Sequence, residues 1–233
     1  MNGKIIGVGI GPGDPDLVTL RAIHVLREAH VVVAPRARED TDSLALRIAK
    51  NHIGDSCEIR EVCFPMTKDE NTLNSSWKNA AQEILTLAQH GKTVAFITLG
   101  DAMLYSTWGY VLREVRELDP HVSVSTVPGI TAMAACAAQI GEPLAEGDTP
   151  LLVWPGNPSA QIPLKNTNCV FMKASRHLKK IESIVEANEG KCVALRNCCL
   201  PNQEITHDLS MWQNDTQYFT TVLSWCARGE KMK

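Results

Sequence analysis

The 233-residue sequence predicts an α/β fold of two domains, the first on a largely parallel sheet and the second on a mixed one. Three observations lead there. Short apolar, β-prone runs alternate with stretches of helical periodicity through the first half, the pattern of a parallel sheet covered on both faces. Loops bearing glycine or proline follow three of those runs directly. The length suits two domains of about 100–130 residues each better than one.

Residues 4–9 read as a buried first strand. Asp14-Pro15-Asp16 then opens a helix: a capping aspartate, a proline in the first turn, and Leu17, Leu20, Ile23 and Leu26 at helical spacing. Residues 31–34 give the second strand, 44–52 a helix, and 58–64 a weakly alternating strand. Residues 77–89 form a helix ending near Gly91, followed by the apolar strand 93–99 and the helix 107–118, stopped at Asp119-Pro120. Pro120 marks the boundary between domains 1–119 and 120–233. The second domain starts with strand 122–127 and helix 131–140. It continues through strands 151–154 and 169–172, helix 178–188, strand 192–196 and a last strand at 218–225. Its lower helix content implies the mixed sheet.

The net charge of −3, with no long run of one sign, disfavours a nucleic-acid partner, which needs a concentrated basic face. No apolar stretch approaches the roughly 18 residues of a membrane span. The start of the chain carries no apolar signal core, so a cytoplasmic protein is expected. Eight cysteines (Cys57, Cys63, Cys136, Cys169, Cys192, Cys198, Cys199 and Cys226) lie mostly in apolar runs, without a Cys-x-x-Cys pair. They read as buried free thiols, with no metal site expected, although the vicinal pair Cys198-Cys199 has the chemistry for a soft metal.

The loop Gly7-Val8-Gly9-Ile10-Gly11-Pro12-Gly13-Asp14 matches neither common nucleotide motif. A dinucleotide fingerprint needs a third glycine where Pro12 stands and an acidic residue about 20 positions on, where Val31-Val32-Val33 lie. A P-loop needs Gly-Lys-Ser/Thr where Gly13 precedes an aspartate. A nicotinamide oxidoreductase is therefore disfavoured. Two further loops, around Thr98-Leu99-Gly100-Asp101 and Val127-Pro128-Gly129-Ile130-Thr131, also follow strands. Together the three outline a crevice lined by backbone, hydroxyls and one carboxylate. That suits a nucleoside bearing an amino-acid end better than one bearing several phosphates.

At these residues the sequence resembles the tetrapyrrole methylase family, over essentially its whole length. Residues 7–20 resemble the family's first motif, Gly100-Asp101 with Met103-Leu104-Tyr105 its second, and Val127-Pro128-Gly129-Ile130-Thr131-Ala132 its third. Val170-Phe171-Met172-Lys173 and Val193-Ala194-Leu195 match weaker C-terminal features. Phe64-Pro65-Met66-Thr67-Lys68, Leu104-Tyr105-Ser106-Thr107, Pro143-Leu144-Ala145-Glu146-Gly147-Asp148 and the stretch from Leu200 to Ile205 resemble one branch. That branch methylates carbon 20 of precorrin-2 or of its cobalt counterpart, cobalt-factor II, in cobalamin biosynthesis. The alternative is another tetrapyrrole carbon, as in uroporphyrinogen III or a later precorrin.

The resemblance implies a homodimer of two-domain α/β chains with S-adenosyl-L-methionine in the interdomain cleft and S-adenosyl-L-homocysteine as product. It places Pro12, Leu99, Gly100, Asp101, Leu104, Ser106, Thr107, Thr131, Ala132, Met172 and Cys199 at the cofactor. Two departures stand out: Ala102 where many members carry proline, and Asn197-Cys198-Cys199 where related chains carry charged or small residues.

A sulfonium methyl is already activated, so catalysis by positioning suffices, with no covalent enzyme intermediate. Tyr105 is the candidate to assist proton loss. A substrate rich in carboxylates calls for basic groups, and Arg36, Arg38 and Lys68, just after predicted strands, are the candidates. Arg176 and His177 are weaker ones. The tryptophans are assigned to cores and the dimer interface. Rivals within the fold, acting on an RNA ribose or a modified histidine, and a non-catalytic binding module complete the alternatives.

Overall fold

A computed structural model of the chain describes residues 3–38, 40–67, 69–159, 165–213 and 218–226. They form two compact units, the first running to Thr131 and the second beginning at Ala132. Each has its own five-stranded sheet.

In the first unit, strands β1 (Lys4–Gly9), β2 (Val31–Arg36), β3 (Glu58–Cys63), β4 (Thr93–Thr98) and β5 (Val124–Val127) are all parallel, in the order β3-β2-β4-β1-β5. Their apolar runs are continuous because both faces are covered. Ile5, Val33, Val94 and Phe96 pack beneath α3 (Glu70–Gln89) and α4 (Trp108–Leu118). Val8, Val32, Ala95 and Ile97 pack beneath α1 (Leu20–Glu28) and α2 (Leu44–Ala49). Parallel strands send every following loop to one edge, so segments 10–19, 37–38, 40–43, 64–67, 99–107 and 128–131 share the carboxyl edge of this sheet.

Three elements differ from expectation. Asp14 caps a one-turn 3₁₀ helix (Pro15–Leu17), and α1 starts only at Leu20, under a second cap from the Thr19 hydroxyl. The α3 helix begins two turns before Trp77, because the Asp69 carboxylate accepts from the Thr72 amide and fixes its N-terminus. The sequence places residues 122–127 at the opening of the second domain. In the structure β5 pairs with β1 and completes the first sheet.

The second unit holds α5 (Ala132–Ile140), β6 (Leu151–Pro155), β7 (Asn168–Met172), α6 (Leu178–Ala187), β8 (Lys191–Arg196), β9 (Glu204–Thr206) and β10 (Thr220–Trp225). Its sheet is mixed, in the order β6-β7-β10-β8-β9, with β6 and β7 parallel and β10 antiparallel to both neighbours. Phe171, Ala194 and Val222 form its core with Ile181 and Val185 of α6. Among the described residues no helix is long and apolar enough to cross a membrane.

Candidate functional site

The strand order puts β1 between β4 and β5, so the three glycine-bearing loops emerge side by side at the centre of the first sheet's carboxyl edge. Ligands of open α/β sheets bind at such a reversal of strand order. The loops are tied to one another by backbone. Gly11 and Gly100 exchange hydrogen bonds of 3.2 and 2.7 Å across an isolated bridge, and the Ile10 amide donates to the Thr98 carbonyl at 3.0 Å. A Cβ on Gly129 would lie 2.2 Å from the Gly100 carbonyl oxygen and 2.8 Å from the Gly9 carbonyl carbon. Only a residue without a side chain allows this approach. Gly100 itself sits at φ +71°, in the left-handed region that glycine adopts freely.

Asp101 fastens the same junction. One carboxylate oxygen accepts from the Met103 amide at 2.8 Å and the other from the Gly129 amide at 2.9 Å. It therefore holds the β4 loop in an Asx-type turn and ties it to the β5 loop. The β4 loop is anchored at its far end too. Ser106 shares a 3.0 Å hydrogen bond with Thr98 and accepts from the Trp108 amide at 3.1 Å. The fully buried Trp108 indole donates to Thr126 Oγ1 at 2.9 Å, across to β5, and fills the space over Gly7. Ala102, between these anchors, is fully buried.

Between the anchors the loop turns apolar side chains outward. Met103 is 62% and Tyr105 44% exposed, and Tyr105 occupies φ +50°. A bulky residue there costs about 1–3 kcal/mol and persists where the surroundings impose it, most often at functional sites. Pro12 and Gly100 are buried, and Leu99, Asp101, Leu104, Ser106, Thr107 and Thr131 are half-buried. All eight belong to these loops.

The basic candidates lie on the same edge, over the other half of the sheet. Arg36 ends β2, and Arg38 is exposed in the turn that follows, where its carbonyl accepts from Thr41. Lys68 lies outside the described residues.

In the second unit Ala132 opens α5, Met172 ends β7 half-buried, and Cys199 follows β8. Cys199 and Asn197 both have positive φ, +61° and +47°. The Gln203 side-chain oxygen accepts from the Cys199 amide at 2.7 Å, while its amide nitrogen donates to Gln139 of α5 at 3.1 Å. A hydrogen bond with Cys136 of α5, in which the Cys198 thiol keeps its proton, and burial push the Cys198 thiol up, against a smaller lowering by Cys199. The ends of β7 and β8 flank β10, so Met172 and Cys199 share one edge of this sheet. Arg176 is exposed on a 3₁₀ turn, and the neighbouring His177 is held below its ordinary value by burial, then by Lys180 and Arg176. Among the described residues no group of three or more His, Cys, Asp or Glu side chains is placed to hold a metal ion.

Sequence reasoning missed Thr98, Thr126 and Gln203, whose roles depend on partners brought in by the fold. For Asp101 the sequence offers a turn or capping role beside a cofactor contact; the turn is present, and what the sequence does not give is the tie to Gly129.

Residues 4–210 match the family model of the Tetrapyrrole (Corrin/Porphyrin) Methylases. The chain belongs to this family. Among its relatives, the cobalt-precorrin-2 C(20)-methyltransferase of Salmonella typhimurium is 34% identical over 96% of both chains. The probable cobalt-precorrin-2 C(20)-methyltransferase of Methanocaldococcus jannaschii is 32% identical, covering 82% of this chain and 81% of its own. The fold is shared with a cobalt precorrin-4 methyltransferase, at a TM-score of 0.72 and 20% identity over 95% of this chain and 94% of that one. It is also shared with the Thermus thermophilus uroporphyrin-III C-methyltransferase complexed with S-adenosylhomocysteine, at 0.66 and 20% identity over 95% and 92%. As a tetrapyrrole methylase, the chain keeps its glycine junction and its outward-facing loop on one edge with Arg36 and Arg38.

Proposed function

We propose that this methylase transfers the methyl group of S-adenosylmethionine to carbon 20 of precorrin-2 or its cobalt complex, in cobalamin biosynthesis. The observation that carries this is the end-to-end relation to the Salmonella typhimurium enzyme, 34% identical over 96% of both chains. The junction of the first unit fits the cofactor's chemistry. A 3₁₀ turn carrying Asp14 and Asp16 stands between β1 and α1, where a dinucleotide enzyme would present a helix N-terminus to phosphates. The Asp101 carboxylate and the backbone around it offer acceptors for hydroxyl and ammonium groups, and no cluster of cations for phosphate.

S-adenosylmethionine supplies an electrophilic methyl on a positively charged sulfur. The work left to the protein is positional: alignment alone is worth about 7–11 kcal/mol of barrier when it is complete. Asp101, Ser106 and the glycine contacts hold the β1, β4 and β5 loops in one arrangement before any ligand arrives. Arg36 and Arg38 are proposed to take the carboxylates of the macrocycle, over the β2 side of the same edge. A new carbon–carbon bond forms at carbon 20 as the sulfur–methyl bond breaks, and the proton displaced from carbon 20 leaves to water, with Tyr105 proposed to assist. The reading includes a cytoplasmic homodimer.

The test is an anaerobic turnover assay with S-adenosylmethionine, offering precorrin-2 and cobalt-factor II in parallel. Product mass and carbon NMR identify the methylated position. Methyl on carbon 20 of either substrate supports the reading. Methyl on another carbon replaces it with the alternative acceptor position.

A further inference from the structure

We propose that Glu61 is a positioning residue that holds Arg36 ready for a substrate carboxylate. This rests on the reading of the β2–β3 side of the sheet edge as the polycarboxylate trough. Arg36 ends β2, and Glu61 sits on the adjacent strand β3, paired in register with Ala34. Arg36 and Ala34 point to the same face, two residues apart, so Glu61 is the diagonal cross-strand neighbour of Arg36. The Arg36 Nη1 and Glu61 Oε2 atoms are 3.7 Å apart, with both side chains about three-quarters buried (27% and 25% exposed). At that distance the pair acts through charge rather than through a hydrogen bond.

Glu61 is itself held. Its other oxygen accepts from the Ser43 amide at 3.4 Å. The Ser43 hydroxyl donates to the Pro35 carbonyl at 2.7 Å and caps α2 by accepting from the Leu46 amide at 3.2 Å. One carboxylate thus links β3, the start of α2 and the end of β2. The cation of β3 itself, Arg60, is engaged by Glu58 at 2.6 Å and Glu83 at 2.8 Å, and does not compete for Glu61.

A carboxylate beside a trough for a polyanion repels that polyanion unless it serves the cation next to it. An arginine gripping a carboxylate gives up the freedom of a long side chain. Glu61 places the guanidinium before binding, so that loss is not taken from the affinity for substrate.

The test is a double-mutant cycle in the full-length protein on Arg36→Ala and Glu61→Gln. Three quantities are read: the Kd of uroporphyrin III as a stable polycarboxylate probe, the tetrapyrrole KM and kcat of the turnover assay, and the Kd of S-adenosylmethionine. Glutamine keeps the acceptor for Ser43, so the fold stays intact and thermal denaturation verifies it. Glu61→Gln is expected to raise the probe Kd and the KM about 3- to 10-fold, with kcat and cofactor affinity unchanged. In the Arg36→Ala background the same change should add nothing, and Glu61→Asp, which keeps the charge, should fall near wild type. If Arg36→Ala weakens the probe but Glu61→Gln leaves it unchanged, tightens it, or adds its full effect in both backgrounds, the positioning role is overturned. If Arg36→Ala changes nothing, the trough reading fails instead, whatever Glu61 does.

Discussion

Replacing Gly129 with alanine inserts one methyl group into the point where three strand ends meet. Its Cβ would lie 2.2 Å from the Gly100 carbonyl oxygen, 2.8 Å from the Gly9 carbonyl carbon and 2.9 Å from the Gly9 oxygen. Ordinary contact begins at 3.4 Å, so the Gly100 oxygen must retreat by 3.4 − 2.2, about 1.2 Å. That oxygen accepts from Gly11, and the Gly129 amide donates to Asp101 at 2.9 Å. A retreat of that size breaks one or both bonds. Overpacking costs about 1–3 kcal/mol and the lost bond to a carboxylate about 1.5–3 kcal/mol. The sum is about 2.5–6 kcal/mol, and at about 2–4 °C per kcal/mol it lowers Tm by about 5–24 °C. Differential scanning calorimetry reads that fall, and isothermal titration reads a loss of S-adenosylmethionine affinity. The control is Gly109→Ala in α4, where an added Cβ meets nothing within 4 Å. It should stabilise by about 0.5 kcal/mol. A Gly129→Ala protein with Tm and cofactor affinity close to those of wild type would refute the crowded junction and its part in binding.

Asp101→Ala removes both acceptors that tie the β4 and β5 loops and should abolish measurable cofactor binding while the sheet stays folded; Asp101→Asn, keeping one acceptor, should fall between, as titration calorimetry would show. Thr126→Val leaves the buried Trp108 N–H without its acceptor and should cost about 1–3 kcal/mol in denaturant unfolding. Burial pushes the Cys169 thiol up to about 12, and burial with Glu182 and Glu186 pushes Cys192 up to about 11. At pH 8 their thiolate fractions are then about 10⁻⁴ and 10⁻³, so iodoacetamide should leave both unmodified in the native protein and label them after denaturation, by mass spectrometry. The same thiols ionise in the unfolded chain above about 8.5, so their contribution to stability is intact below that pH and lost as pH rises toward 11–12. Replacing both with alanine should flatten the alkaline decline of the denaturation midpoint.

Strands and helices of the first half were legible because their signals are local. Continuous runs such as Val31-Val32-Val33 mark strands buried on both faces, and the three Gly/Pro loops mark a ligand edge. Boundaries were less legible where one signal serves two structures. An aspartate before a proline caps a 3₁₀ turn as readily as an α-helix, which misplaced the start of α1. Residues 70–76 are polar but for Leu73, so the apolar stripe of α3 shows only from Trp77, although the Asp69 cap was there to be read. Sheet membership is a different matter. Asp119-Pro120 looks like a boundary, but the partner of β5 is β1, more than 100 residues away, and no local feature encodes that pairing. The same holds for the Asp101–Gly129 and Glu61–Arg36 contacts.

The strand order also sets a timetable. During synthesis β1 emerges first among the strands of its sheet, yet its neighbours are β4 and β5. At about 5–20 residues per second, the wait until Thr98 has been made lasts about 5–18 s. For that interval the run Lys4-Ile5-Ile6-Gly7-Val8-Gly9 is an apolar segment with unpaired backbone on both sides. The arrangement that centres β1 under the three glycine-bearing loops leaves this segment uncovered for that interval, so chaperones that bind apolar strands are expected to engage it, and the folded yield is expected to fall as residues 10–98 are translated more slowly.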